Sequence, residues 1–163
     1  INNGYRILDL IRSRIALFAG SFDHSTIGHA DIVRRALALF DRLVIVVAVN
    51  PEKHCMFTEE QRLDAIRRLY AGEARVSVMS SDGLIVDVAR EVGAQFYVRG
   101  VRSVVAVSLK KIQAEYNERL GSLETVLLYA SPSLAAVSST AYRTLVYFHK
   151  DASWMIPKQA TIK

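Results

Sequence analysis

The stretch Leu43-Val44-Ile45-Val46-Val47-Ala48-Val49 decides the fold. It is apolar throughout, rich in β-branched residues, and shows no polar alternation. A strand with one face in water alternates. A strand covered on both faces does not, and it belongs to a parallel sheet flanked by helices. Asn50-Pro51 ends the run. Working outward, Arg14–Gly20 (RIALFAG) reads as a second buried strand. Between the two, Gly28–Phe40 sets Ala30, Val33, Ala36, Leu37 and Phe40 on one helical face. After the break, Thr58 with Gln61 forms a capping box that opens a helix reaching Tyr70, closed by Gly72.

The same alternation continues. Arg75–Met79 is a strand, Leu84–Val92 a helix stopped by Gly93, and Gln95–Val98 a fourth strand. Val105, Leu109, Ile112, Tyr116 and Leu120 recur at helical spacing and predict a long amphipathic helix. Thr125–Tyr129 is a fifth strand and Ser138–Phe148 a last helix. The pattern predicts an α/β fold: a Rossmann-like, doubly wound, five-stranded parallel sheet with helices on both faces. Residues 1–13 are expected to be an N-terminal extension and 14–163 a single domain.

Composition narrows the function classes. The chain has 163 residues, 51% of them hydrophobic and 23% charged, enough for one soluble core. No apolar run approaches the roughly 20 residues of a membrane span, and the first 14 residues do not read as a signal peptide. No membrane partner is expected. The single Cys55 precludes an internal disulfide framework and fits a reducing, cytoplasmic setting. The formal net charge is +5. The basic residues are dispersed, which argues against a nucleic-acid surface and leaves anionic small molecules.

The candidate site follows the first strand, in Gly20-Ser21-Phe22-Asp23-His24-Ser25-Thr26-Ile27-Gly28-His29. Ligands of such sheets lie beyond the carboxyl ends of the strands. Gly20 and Gly28 permit close backbone approach. A helix start with His29 in its first turn offers N–H groups and an imidazole donor to phosphate.

The stretch GSFDHSTIGHADIV resembles the T/HxGH signature of the nucleotidyltransferase superfamily. With NPEKHCMFTEEQRLDAI, YVRGVRS and VSSTAYRTL following in order, the chain is similar to the bacterial phosphopantetheine adenylyltransferases from about Arg14 to Lys158. The resemblance implies transfer of AMP from ATP to 4′-phosphopantetheine, giving dephospho-coenzyme A and pyrophosphate by in-line displacement. It implies that His29 stabilises charge on the α-phosphate, and that Lys53 and Arg99 hold the attacking phosphate. Ser21 and Phe22 would lie beside the substrates, and Gly100, Val101 and Arg102 would contact ATP. Leu134, Ala135, Ala136, Val137, Ser138, Ser139 and Thr140 would bind the nucleotide, with Arg143 within reach of the polyphosphate. Leu84 and Ile85 would wall the pantetheine arm. Mg²⁺ would arrive on ATP, with no metal site of the protein's own. Coenzyme A is a further ligand that the resemblance leaves open, and a homo-hexamer is the expected assembly.

Two departures stand out. His24 occupies a position where the family has proline, so that the loop is either looser or gains a second donor. Ala106–Lys110 replaces an acidic-aromatic run, with Lys110 where the family has an acid near ATP; no role follows for Lys110. Two alternatives stay open: a related transferase using another phosphorylated acceptor, such as nicotinate mononucleotide or a polyol phosphate, and a nucleotide- or coenzyme-binding homologue with impaired turnover.

Overall fold

The structure, a computed structural model, describes residues 13–162. The extension expected over 1–13 lies almost wholly outside them. Five strands, β1 (Ile15–Gly20), β2 (Arg42–Ala48), β3 (Val76–Ser81), β4 (Phe96–Val101) and β5 (Glu124–Tyr129), form one sheet in the order β3-β2-β1-β4-β5. Every pairing is parallel. The helices are α1 (Ile27–Leu39), α2 (Glu59–Leu69), α3 (Ile85–Val92), α4 (Val104–Gly121) and α5 (Ser139–Tyr147).

The unbroken apolar run of β2 has the role its sequence suggests. Leu43, Ile45 and Val47 join Ala16, Phe18 and Val98 on one face, packed against Ile32, Val33 and Ala36 of α1 and Ile66 of α2. Val44 and Val46 join Leu17 and Tyr97 on the other face, against Val86, Val88 and Ala89 of α3. Each such fully buried side chain contributes about 1.5–3 kcal/mol of transfer free energy. A third cluster, of Val137, Ala65, Met155, Ile156 and Ala160, ties the segment before α5 and the C-terminal turns to α2.

The helix ends follow local chemistry. Thr58 and Gln61 form the expected box, with Thr58 N–H donating to Gln61 Oε1 at 2.9 Å and Gln61 N–H to Thr58 Oγ1 at 3.2 Å. Gly93 ends α3 at a φ of 73°, a left-handed conformation natural to glycine.

The predicted long amphipathic helix is present as α4, and its apolar stripe faces away from the core of the chain: Val105, Leu109, Ile112, Tyr116 and Leu120 are between 53% and 72% exposed. The sheet face beneath is already filled by α3 and Leu123, so α4 turns its apolar side outward.

Candidate active site

β1 leads to β2 on one side of the sheet, while β4 starts on the other side of β1. The chain therefore departs in opposite directions from the carboxyl ends of β1 and β4, and a crevice opens between them. It has a volume of about 300 Å³. Its walls come from the loop after β1, the start of α1, the loop after β2, the end of β4, α4, and the segment leading into α5.

His29 sits at the third position of α1 and is locked by its helix cap. Thr26 N–H donates to His29 Nδ1 at 3.0 Å, and His29 N–H donates to Thr26 Oγ1 at 3.3 Å. This is a capping box with imidazole in place of the usual Glu or Gln. Because Nδ1 accepts, the neutral ring carries its proton on Nε2 and has a donor left for the cleft. The ring rests on Phe22, 4.9 Å between centroids. Burial, and then the nearby Arg102 guanidinium, push its pKa from about 6.5 down to about 4. At neutral pH His29 is thus an uncharged N–H donor with a fixed tautomer.

The loop carrying Ser21 is held from behind. Buried Arg62 of α2 donates through Nη1 to the Ser21 carbonyl at 2.7 Å and through Nε to the Thr58 carbonyl at 3.4 Å. Asp23, 1% exposed, accepts from Met56 N–H at 2.9 Å and Phe57 N–H at 3.0 Å. Its Oδ2 also faces Arg143 Nη1 at 3.6 Å, and the same guanidinium donates to the Asp23 carbonyl. One carboxylate therefore joins the β1 loop, the loop bearing Lys53, and α5.

The cationic side chains reach the cleft from four places. Lys53 comes from the turn closed by its own N–H donating to Asn50 O at 3.0 Å. Arg99 lies over the Tyr97 ring and donates to Gln113 Oε1. Arg102 donates to the Val137 carbonyl at 3.4 Å. Lys110 reaches back from the second turn of α4 to the Gly100 carbonyl, and Arg143 comes from α5. No acidic side chain is among the described lining residues. Gly100 suits this close approach: a Cβ would meet the Ile32 side chain of α1 at 3.3 Å, a tight contact that Ile32 would have to yield to.

The hydroxyls of Ser138, Ser139 and Thr140 are engaged. Ser138 caps the helix, accepting from Ala141 N–H at 3.0 Å. Ser139 Oγ donates to the His24 carbonyl at 2.6 Å, and Thr140 Oγ1 accepts from Arg143 Nη2 at 3.3 Å.

Most of the residues singled out in the sequence meet in this cleft: Ser21, His29, Lys53, Arg99, Gly100, Val101, Arg102, Leu134, Val137, Ser138, Ser139 and Thr140. Five do not line it. Phe22, at a φ of 46°, turns its ring into the core edge-on to Phe18, where it backs His29. Ile85 packs into the α3 side of the sheet. Ala135 and Ala136 lie on the exposed turn after Pro132–Leu134. Leu84, the N-cap of α3, is 62% exposed. His24 is not a second donor to the cleft. It is 1% exposed, lies between the Phe57 and Tyr142 rings, and donates from Nδ1 to the Ser25 carbonyl at 2.8 Å.

Asp23, Arg62 and Thr26 are site residues to which the sequence reading gave no individual role. Thr26 had a signal, the Thr-x-x-His spacing of a capping box. Arg62 had a weaker one, a charge on the same helical face as Ala65 and Ile66.

A parallel sheet with a cationic cleft at its switch point defines an α/β enzyme scaffold for phosphorylated ligands, and a sequence model of the cytidylyltransferase-like family matches residues 17–145. A phosphopantetheine adenylyltransferase of Bacteroides fragilis is 43% identical over 145 residues, 89% of this chain and 97% of that protein. A protein of the same name from Porphyromonas gingivalis is 41% identical over 148 residues, 91% of this chain and 97% of its own. The chain belongs to the phosphopantetheine adenylyltransferase family. Among solved structures, the lipopolysaccharide core biosynthesis protein of Thermoplasma volcanium shares the fold. It has a TM-score of 0.57 and 22% identity, covering 74% of this chain and 99% of that one.

Proposed function

We propose that the chain transfers the adenylyl group of ATP to 4′-phosphopantetheine, releasing dephospho-coenzyme A and pyrophosphate. The observation that carries this reading is the cleft itself: a neutral, tautomer-fixed N–H donor surrounded by Lys53, Arg99, Arg102, Lys110 and Arg143, with no acid among its described lining. Such a site brings together two anions that repel each other in water.

In the reaction, an oxygen of the pantetheine phosphate bonds to the α-phosphorus of ATP as the bond to the bridging oxygen of the β-phosphate breaks. Pyrophosphate leaves with that electron pair. The attacking phosphate is already anionic and needs no general base. Lys53 and Arg99 hold it in line. Arg102 and the Val137–Thr140 segment hold the nucleotide, and His29 Nε2–H donates to the α-phosphate oxygens where charge builds.

Magnesium fits as an ion carried by the nucleotide. Among the described residues no cluster of three or more His, Cys, Asp or Glu is placed to hold a metal, and the cleft lining offers cations rather than carboxylates. When bound, the ion screens the triphosphate charge. The outward apolar stripe of α4 supports a homo-oligomer, by family resemblance a hexamer. Among the described residues no helix is long and apolar enough to cross a membrane, and the single cysteine supports a cytoplasmic setting.

The test is pyrophosphate release from ATP and Mg²⁺, with light scattering on the same preparation. Release that requires 4′-phosphopantetheine, stops on chelation of Mg²⁺ and comes from a hexamer is expected. Release only with nicotinate mononucleotide or a polyol phosphate contradicts the acceptor. ATP binding without release with any acceptor contradicts the activity, and a monomer contradicts the assembly.

A further inference from the structure

Lys110 is a cation of the cleft to which neither the sequence reading nor the mechanism above gives a task. It stands in the second turn of α4 and could extend into solvent like most lysines. Instead it folds back, half-buried, into the cleft that Arg99 and Arg102 also line, and donates to the Gly100 carbonyl. Burial, and then those two guanidiniums, push its pKa below the ordinary lysine value. No carboxylate in the described lining offsets this crowding. A compact ammonium with three donors satisfies only part of its capacity on one neutral carbonyl. An arriving phosphate would relieve the repulsion and fill the remaining donors.

We propose that Lys110 is an additional substrate-binding residue, whose ammonium passes from the Gly100 carbonyl to a phosphate oxygen of ATP. The inference rests on the adenylyl-transfer reading for the identity of the nucleotide. The side chain is tethered at the turn where Gly100 and Arg102 meet the cleft, so it serves the nucleotide rather than the acceptor phosphate held by Lys53.

Calorimetric titration of ATP into the full chain tests this without requiring turnover. Lys110→Ala is expected to weaken ATP binding about ten- to a hundredfold, as for loss of a charged hydrogen bond, and to lower the salt dependence of binding. Lys110→Arg is expected to retain most of the affinity. At alkaline pH, wild-type binding should take up protons, read as an enthalpy that depends on the buffer. This uptake should fall in Lys110→Arg, because arginine stays charged; His29 is neutral in that range, and Lys53, the other lysine of the cleft, is the same in both proteins. Melting temperatures check that the variants fold. ATP affinity unchanged in Lys110→Ala, equal proton uptake in Lys110→Arg, or failure of the wild type to bind ATP would overturn the proposal. ATP binding that depends on Lys110 in a chain that releases no pyrophosphate would support it and contradict the adenylyl-transfer reading instead.

Discussion

Replacing His29 with alanine is expected to lower turnover by about a hundredfold or more, while the apparent affinity for ATP changes only a few-fold. On the proposed reading, the imidazole donates where negative charge grows as the α-phosphorus is attacked. Loss of one such preorganised donor characteristically acts on kcat. The same ring also closes the N-terminal box of α1, since its Nδ1 accepts from Thr26 N–H. The alanine variant should therefore also lose about 1 kcal/mol of stability. His29→Gln separates the two effects. Glutamine at this position completes a capping box, so its melting temperature should return toward wild type while its turnover stays far below. Steady-state kinetics and thermal melts of the two variants provide the check. A glutamine variant that restored both would assign the histidine to the cap alone.

The second large effect is expected at Asp23. Its carboxylate is buried and joins the loop after β1, the loop after β2 and α5 through Met56 N–H, Phe57 N–H and Arg143. Asp23→Ala removes the acceptor and leaves two amide donors and a half-buried guanidinium without it. Breaking a buried, hydrogen-bonded charge pair costs about 3 kcal/mol. For a domain of this size, that lowers the melting temperature by roughly 6–12 °C. The functional effect should fall on the acceptor side. Lys53 lies in the loop that Asp23 anchors, so KM for 4′-phosphopantetheine should rise more than KM for ATP. Asp23→Asn, which keeps one acceptor oxygen, should lie between. Calorimetric melts with substrate-varied kinetics decide this, and an alanine variant with wild-type stability would remove Asp23 from its anchoring role.

The parts of this architecture that were legible in the sequence are those with local causes. The unalternating β2 run announces a strand covered on both faces. The Thr58–Gln61 box and Gly93 mark helix ends by chemistry contained within a few residues. The place of the β1 loop at the cleft was legible because small residues, a helix start and His29 are contiguous. Long-range pairings were not legible. Asp23 finds Met56 33 residues away and Arg143 120 residues away, and nothing in the local pattern distinguishes it from a solvated loop acid. His24 read as a polar exception at a proline position; its burial depends on Phe57 and Tyr142, which only the fold brings beside it. The α4 stripe carried the right period but gave no direction, because periodicity identifies an apolar face without saying what covers it. Lys110 read as an opposite charge at an acidic position, and only its path back to Gly100 places it in the cleft.

The central claim is that the β1/β4 switch point aligns two phosphorylated molecules over His29. A crystal structure with dephospho-coenzyme A, the product spanning both halves of the site, tests it most directly. The product's diphosphate is expected within hydrogen-bond distance of His29 Nε2 and flanked by Lys53 and Arg102, with the adenosine toward Val137–Thr140. A diphosphate bound outside this cleft, or an imidazole whose Nε2 faces away from it, would contradict the account.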